Sequence, residues 1–328
     1  MSIPKAWEYQ LGNGLRVADT GFRLGGYASM KYNDPSGQDR KLVFDDLSLF
    51  VFGDITERIR LFSEWEDAHF FEIDANGRSR FTHHGQLERL YLDYLFSDTF
   101  KIRAGKFLTP VGTWNEIHAD PLTWTVSRPL VTLLAFPEYT TGIQFYGDST
   151  FDNEEFGYSI FFQNNESINE TTGFRKTHLI YGGKIKWFGR SGLEAAIPLL
   201  YYTEYRTDNR IYLTGLDILY KKRWFEIMGE ATYSRVDTRA GSDSKEYGYY
   251  LQGVYALTER LFLIGRHEYM NSRTDGGELR VITIGSAYKP VPQVVFKIEY
   301  QIRSGDLRFD DIDVDNGEQF LASFSILF

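Results

Sequence analysis

The stretch Phe320-Leu321-Ala322-Ser323-Phe324-Ser325-Ile326-Leu327-Phe328 alternates in character from one residue to the next. In an extended strand, successive side chains point to opposite faces. One face therefore carries Phe320, Ala322, Phe324, Ile326 and Phe328, and the other carries Leu321, Ser323, Ser325 and Leu327. A strand with a phenylalanine-rich face that ends on an aromatic residue favours a barrel in a lipid bilayer, where aromatic girdles lie at both interfaces.

This ending resembles the C-terminal signature of Gram-negative outer-membrane barrels. The alternative is a soluble all-β protein, because half-buried strands of a soluble sheet alternate as well. Strand length and loop length along the rest of the chain distinguish the two.

The composition excludes several classes of protein. The chain has 328 residues, a net charge of -9 and no cysteine. Without an uncharged run of 18 apolar residues it has no transmembrane helix, and without cysteine it has no disulfide or thiolate metal site. The acidic balance argues against a nucleic-acid partner. Residues 1–5 lack an apolar signal-peptide core, so we expect a mature chain without its signal peptide.

Alternating segments recur along almost the whole chain, and most are long enough to cross a bilayer at a tilt. We predict an all-β fold, a transmembrane antiparallel β-barrel of about sixteen strands, as one domain over residues 1–328 with a periplasmic N-terminal segment at 1–20. The segments run approximately over 21–32, 42–52, 57–70, 87–96, 100–107, 140–146, 154–163, 175–187, 193–205, 210–220, 224–236, 245–256, 261–271, 278–288, 293–303 and 318–328.

Short and long connections alternate along the chain, according to whether the preceding segment has an even or an odd number. Connections after even-numbered segments are mostly short, with 147–153 a longer exception, and those after odd-numbered segments are mostly long and polar. Short periplasmic turns opposite long extracellular loops are typical of outer-membrane barrels, whereas a soluble sandwich has no reason for this parity. Aromatic residues beside the short turns, such as Phe52, Phe96 and Phe100, are interpreted as the periplasmic girdle.

The charged faces of the segments are expected to line a water-filled lumen, because a lysine or arginine facing lipid near the midplane costs roughly 2–4 kcal/mol. A barrel of about sixteen strands leaves such a channel. The predicted pore-lining residues are Arg60, Glu64, Arg89, Asp93, Lys101, Arg103, Lys184, Lys186, Glu226, Glu230, Arg266, Glu268, Lys297 and Glu299. A wider set adds Arg23, Asp46, Glu66, Asp217, Arg280 and Arg303.

Residues 109–138 interrupt the alternation after the fifth segment. This third extracellular loop is the longest and the least polar, and four prolines stiffen it. An apolar loop of this length is unfavourable in water, so we expect it to fold back into the lumen against the inner wall. The charged residues expected at the resulting constriction are Glu116, His118, Asp120, Arg128 and Glu138. They either set ion preference or pin the loop to the wall, and one residue can do both.

Sixteen strands with a long third loop resemble the Gram-negative porin superfamily. The stretch from Gly105 through Lys106, Phe107 and Pro110 to Gly112 is similar to the element that precedes the third loop in phosphate-selective porins of the O and P type. The resemblance implies a homotrimer whose third loop forms the constriction, with outer-membrane lipid and lipopolysaccharide as surroundings. The lumen set is mixed in charge rather than basic, which argues against phosphate as the solute.

Three further features of the sequence are candidates for metal, calcium or catalytic sites. Glu116-Ile117-His118-Ala119-Asp120 has the side chains of a metal site but no partner cluster, so we expect no metal and no cofactor. The run 310–315 is interpreted as a solvated acidic loop, with calcium binding as the alternative. His83 and His84 are expected to be solvated in a surface loop, with capture of a metal ion at the surface as the alternative. No motif selects a nucleophile, so we expect no enzyme.

The leading hypothesis is therefore a porin of the bacterial outer membrane that lets small hydrophilic solutes or ions diffuse passively. The alternative is a barrel scaffold that sheathes or anchors a partner protein such as an electron-transfer cytochrome. Such a sheath needs an open lumen, which a long apolar third loop would obstruct.

Overall fold

The computed structural model describes residues 7–82, 85–164, 175–205, 207–239, 241, 243–271, 277–309, 312–314 and 316–328. Sixteen long strands dominate these residues, each antiparallel to the next along the chain. They are β1 (Phe22–Pro35), β2 (Lys41–Asp54), β3 (Ile59–Asp74), β4 (Gly85–Ser97), β5 (Phe100–Leu108), β6 (Tyr139–Phe151), β7 (Glu154–Asn164), β8 (Thr177–Phe188), β9 (Leu193–Glu204), β10 (Arg210–Lys221), β11 (Phe225–Asp237), β12 (Asp243–Ala256), β13 (Leu261–Asn271), β14 (Glu278–Val291), β15 (Val294–Phe309) and β16 (Gly317–Leu327).

The barrel is closed by the pairing of its last strand with its first. β16 runs antiparallel to β1, with Phe320 opposite Asp34 and Leu327 opposite Tyr27. Backbone bonds between Gly26 and Phe328 at 2.8 and 2.9 Å complete the seam. Closure leaves no exposed strand edge, and the predicted sixteen-stranded all-β barrel is confirmed.

The turns at one end of the barrel are short, as the parity of the loops predicted. The turn between β6 and β7 is shorter than expected, because the two strands extend to Phe151 and Glu154 and leave only Asp152 and Asn153 between them. Both turn residues have positive φ, 50° and 62°. Aspartate and asparagine tolerate this conformation, which a tight hairpin turn of the primed type requires.

The two faces of the strands differ as the alternation predicts. In β15, Ile298 on the outer face is 50% exposed, whereas its neighbours Lys297 and Glu299 are 1% and 2% exposed. Arg280 in β14 is a correction, because it lies on the outer face rather than in the lumen. It follows buried Leu279, and it pairs with Glu278 at the rim, where water and headgroups solvate a charge.

The remaining elements are small. Residues Glu8–Gln10 and Gly14–Arg16 form a hairpin that pairs with β1 beside Arg23 and Leu24. Ser79–Phe81 pairs with β3, and Ile312–Val314 pairs with β15. Residues 109–138, called loop 3 below, contain α1 (Thr113–Ile117), a 3-10 turn (Asp120–Leu122) and α2 (Leu130–Leu134). In the described ranges, none of the helices is both long and apolar enough to span a membrane.

Candidate functional site: the lumen and loop 3

Loop 3 is closed at its base by hydrogen bonds between its two ends. The Thr109 N–H donates to the Glu138 carbonyl at 2.8 Å, and the Thr109 hydroxyl lies 2.9 Å from that of Thr140. The Asn115 amide donates to the carbonyls of both Thr109 and Glu138. The loop therefore leaves and re-enters the wall at one point as a compact unit.

The apolar side chains of loop 3 pack against apolar residues of the inner wall. Val131, Leu134 and Phe136 are almost fully buried in one cluster with wall residues such as Ile180 and Met270. Gly248 in β12 makes room for α2, since a Cβ there would lie 3.0 Å from Val131 Cγ2 and 2.5 Å from the Met270 sulfur. These contacts bury the apolar side chains of the long loop and so explain how it is accommodated inside the barrel.

Three wall carboxylates accept the backbone N–H groups of loop 3. Glu230 accepts from Trp114 at 2.8 Å, where α1 begins. Glu268 accepts from Leu130 at 2.7 Å, at the first residue of α2. Glu299 accepts from the N–H groups of Val126 and Ser127 at 2.8 and 3.1 Å. Such N–H groups have no partner within their own short helix or turn, so the wall satisfies them.

Two wall cations bind the carbonyls of the same loop. Lys297 Nζ donates to the carbonyls of Asp120 and Thr125 at 2.7 and 3.1 Å. Arg266 donates to the Ser127 carbonyl at 3.1 Å and pairs with Glu268 at 2.7 Å.

Six predicted pore-lining residues thus lie beneath loop 3 and hold it there. Glu226 joins them by accepting from the Trp124 indole N–H at 2.7 Å. The six are Glu226, Glu230, Arg266, Glu268, Lys297 and Glu299, all on β11, β13 and β15.

Three predicted constriction residues form one ionic cluster. Arg128 donates to Glu138 at 2.6 Å and lies 2.7 Å from His118 Nδ1, which is itself 3.2 Å from the Glu138 carboxylate. Burial alone raises the pKa of Glu138, but the Arg128 charge and the contacts with His118 outweigh it and lower the pKa to about 2. The carboxylate is therefore ionised, and the cluster fixes the returning end of loop 3.

The other two predicted constriction residues contact different parts of the wall. Glu116 pairs with Lys184 of β8 at 2.6 Å, and its side chain is 42% exposed. Asp120 lies 3.6 Å from Lys31 of β1 and 3.8 Å from Lys297 of β15. Within the described residues, no group of three potential ligands that could hold a metal ion occurs. His83, His84 and residues 310, 311 and 315 lie outside the described residues.

The other predicted pore-lining charges form ion pairs away from the loop anchors. Lys186 pairs with Glu194 at 2.6 Å and Lys101 with Asp148 at 3.4 Å. Arg103 binds Asp93 through two bonds, at 2.8 and 3.0 Å, and Arg89 binds Glu64. Arg60 pairs with Asp54 at 3.3 Å, at the end of the barrel that carries the short turns. The basic side chains Lys101, Arg103 and Lys186 stay partly exposed, at 20%, 22% and 24%, whereas Glu64 is fully buried.

Sequence reasoning missed an aromatic band on the inner wall, made of Tyr27, Phe50, Phe52, Phe62 and Tyr91. Each ring contacts at least one other in the band, and the cluster they form includes Ala119 of loop 3, which places the rings inside the barrel. Phe52 corrects the girdle interpretation, because it points into the lumen rather than to lipid. The available signal was its parity with Ser48 and Phe50, which face inward in β2.

Comparisons with known proteins agree with this architecture. A family model described as "Putative beta-barrel porin-2, OmpL-like" matches residues 64–328. An uncharacterized protein of Aquifex aeolicus (strain VF5) is 24% identical over 99% of this chain and 85% of its own length.

Solved structures with similar folds include porins and other outer-membrane proteins. The anion-selective porin from Comamonas acidovorans has a TM-score of 0.66 at 14% identity, covering 94% of this chain and 99% of that one. OmpT of Vibrio cholerae has a TM-score of 0.69 at 11% identity, covering 95% and 99%. The channel DcaP of Acinetobacter baumannii has a TM-score of 0.61 at 12% identity, covering 96% and 100%. The expected resemblance to outer-membrane porins is confirmed, and the chain belongs to the OmpL-like beta-barrel porin family.

Proposed function

We propose that this protein is a passive diffusion channel for small hydrophilic solutes or ions, whose water-filled lumen is narrowed by loop 3. Family and fold support a channel role and imply a bacterial outer-membrane location. The observation that carries the proposal is the unequal exposure of inward-facing charges around the wall.

On the side of β11, β13 and β15, the charged wall residues are covered by loop 3, with Lys297 and Glu299 only 1% and 2% exposed. On β8 and β9, in contrast, the side chains of Lys186 and Glu194 remain 24% and 31% exposed. A path for water is therefore expected along the exposed edge of loop 3, past the partly exposed side chains of Glu116, Lys186 and Arg103. Charged groups along such a path stay solvated and bias which ions enter.

The five constriction residues then divide into two roles. Glu116, paired with Lys184, borders the path and acts on the solute through its charge. His118, Arg128 and Glu138 fix the loop, while Asp120 connects it to β1 and β15. A scaffold that sheathes a partner protein is less consistent with these contacts, because loop 3 takes up space that the partner needs.

The assembly is proposed to be a homotrimer in lipid and lipopolysaccharide. One solved structure of Vibrio cholerae OmpT, with a TM-score of 0.64 and 11% identity over 94% of this chain, is described as a trimer form.

Single-channel recording in a planar bilayer tests the channel, and a cysteine probe tests the constriction. Because the natural chain has no cysteine, Glu116→Cys introduces the only thiol. We expect a charged methanethiosulfonate reagent to lower the conductance of this variant, since the adduct would lie beside the narrowed path. Ile298→Cys is the matched control, because its side chain faces lipid and its modification should leave conductance unchanged.

Absence of conductance in the unmodified protein would overturn the channel. Equal conductance before and after modification of Glu116→Cys, with the labelling verified by mass, would overturn the constriction.

A further inference from the structure

The aromatic band lies in register with arginines on the same inner wall. Arg23, Phe52, Phe62 and Tyr91 are successive cross-strand partners from β1 to β4. The ring centroids of Phe52 and Phe62 are 5.0 Å apart, and those of Phe62 and Tyr91 are 5.3 Å apart. The row therefore forms a continuous apolar surface across four strands, near the end of the barrel with the short turns.

A guanidinium lies over each of three rings in this row. The distance from guanidinium carbon to ring centroid is 4.6 Å for Arg23 over Phe52 and 4.6 Å for Arg89 over Phe62. It is 3.8 Å for Arg103 over Tyr91. Because the Arg89 and Arg103 side chains keep 17% and 22% exposure while Phe62 keeps only 8%, the guanidiniums are the layer that faces the lumen.

Carboxylates behind the guanidiniums hold their planes in place. Glu64 binds Arg89 and is fully buried, and Asp93 binds two nitrogens of Arg103 with 11% exposure. These acids offset much of the charge, so a small spherical anion is held weakly. The planar faces of the guanidiniums and their remaining N–H donors stay available. This arrangement favours a ligand that can both stack on a guanidinium and accept hydrogen bonds from it.

Donors remain on two of the arginines. In the described part of the chain, Arg89 bonds Glu64 through Nε, and its two terminal nitrogens donate to no protein group. Arg23 donates to Asn13 through Nη1 at 2.7 Å, and its Nη2 donates to no protein group among the described residues. A solute with a carboxylate and a planar ring can bond a guanidinium fork and stack on its neighbour at the same time.

We propose that the aromatic band and its three arginines form a binding subsite for planar organic carboxylates on the path through the lumen. This inference rests on the proposed channel function and names the class of solute that the channel selects. Several weak contacts in series attract such a solute and still let it leave, which permeation requires.

The first test is direct binding, because it does not depend on conduction. Benzoate is titrated into the detergent-solubilised full chain by calorimetry, and cyclohexanecarboxylate serves as a probe of equal charge and similar size that is not planar. We expect benzoate to bind roughly fivefold more tightly, as one stacking contact on a guanidinium provides. Arg89→Lys and Arg103→Lys keep the charge and should abolish this preference.

Arg280→Lys is the matched control, because Arg280 also lies over a ring, that of Tyr269 at 5.7 Å, but on the outer face of the barrel. It should bind benzoate as the unmodified protein does. Equal binding of both carboxylates, or a preference that survives in both inner-wall variants, would overturn the subsite. A bilayer recording of potassium chloride current with added benzoate separates the subsite from the channel function. A protein that conducts but is not blocked more strongly by benzoate than by cyclohexanecarboxylate would keep the channel function and lose the subsite.

Discussion

At the scale of single residues, Glu138 is the acid that fixes the returning end of loop 3. Its carboxylate contacts both Arg128 and His118 and is only 11% exposed. A buried acid in such a position is stabilising only while it is ionised, because its protonation leaves the Arg128 charge unpaired. The stability of the loop should therefore depend on pH.

The pKa of Glu138 is lowered from 4.5 to about 2, so folding favours its ionised form. Its contribution is fully present above pH 4.5 and is lost as the pH falls through about 2. We expect hydrogen exchange in loop 3 to accelerate across this window. Glu138→Gln should remove about 3 kcal/mol of stability at neutral pH and flatten the pH response.

Glu116→Gln is the control for this prediction, since Glu116 is more exposed and its single ion pair contributes little. Loop exchange that is unchanged across the window in the natural protein would contradict the role of Glu138.

At the scale of elements, α2 depends on the absence of a side chain in β12. A Cβ at Gly248 would lie 2.7 Å from the Tyr269 carbonyl oxygen, which belongs to the backbone of the next strand and cannot yield easily. It would also approach Val131 of α2 to 3.0 Å. The close contact between helix and wall therefore requires glycine at this position.

We expect Gly248→Ala to destabilise the protein by about 1–3 kcal/mol through overpacking and to increase proteolysis within loop 3. Gly253→Ala in the same strand is the matched control, because no heavy atom lies within 4 Å of its Cβ position. Chemical denaturation in detergent and limited proteolysis measure both effects. Equal tolerance of the two substitutions would show that α2 does not depend on this contact.

At the scale of the whole molecule, the alternation of faces implies a depth-dependent cost for charge on the outer surface. Ile284 lies near the middle of β14 and is 65% exposed, whereas Val291 ends the same strand beside a short turn. We expect Ile284→Arg to lower the stability of the folded barrel in lipid by about 2–4 kcal/mol and Val291→Arg by about 0–1 kcal/mol.

Reversible unfolding from phospholipid vesicles measures this difference. Equal costs at the two positions would mean that β14 does not cross the bilayer in the inferred orientation.

Local patterns predicted the strands and their faces because the side-chain period of two is a property of each strand by itself. All sixteen segments correspond to strands, and Lys297 and Glu299 face inward as their parity requires. The alternation did not predict the short turn at Asp152 and Asn153, because the end of a strand depends on how far it continues to pair with its neighbour.

Tertiary structure alone decided what the inward-facing charges do. Lys186 stays partly exposed, whereas Glu299, which also faces inward, is covered by Val126 and Ser127, more than 170 residues away in sequence. The arginines over Phe52, Phe62 and Tyr91 likewise depend on register between strands. The sequence therefore determined a barrel with a charged inner face and an apolar third loop. Where that loop lies, and which charges and rings it leaves open, follows only from long-range packing, because no local period encodes contacts between distant segments.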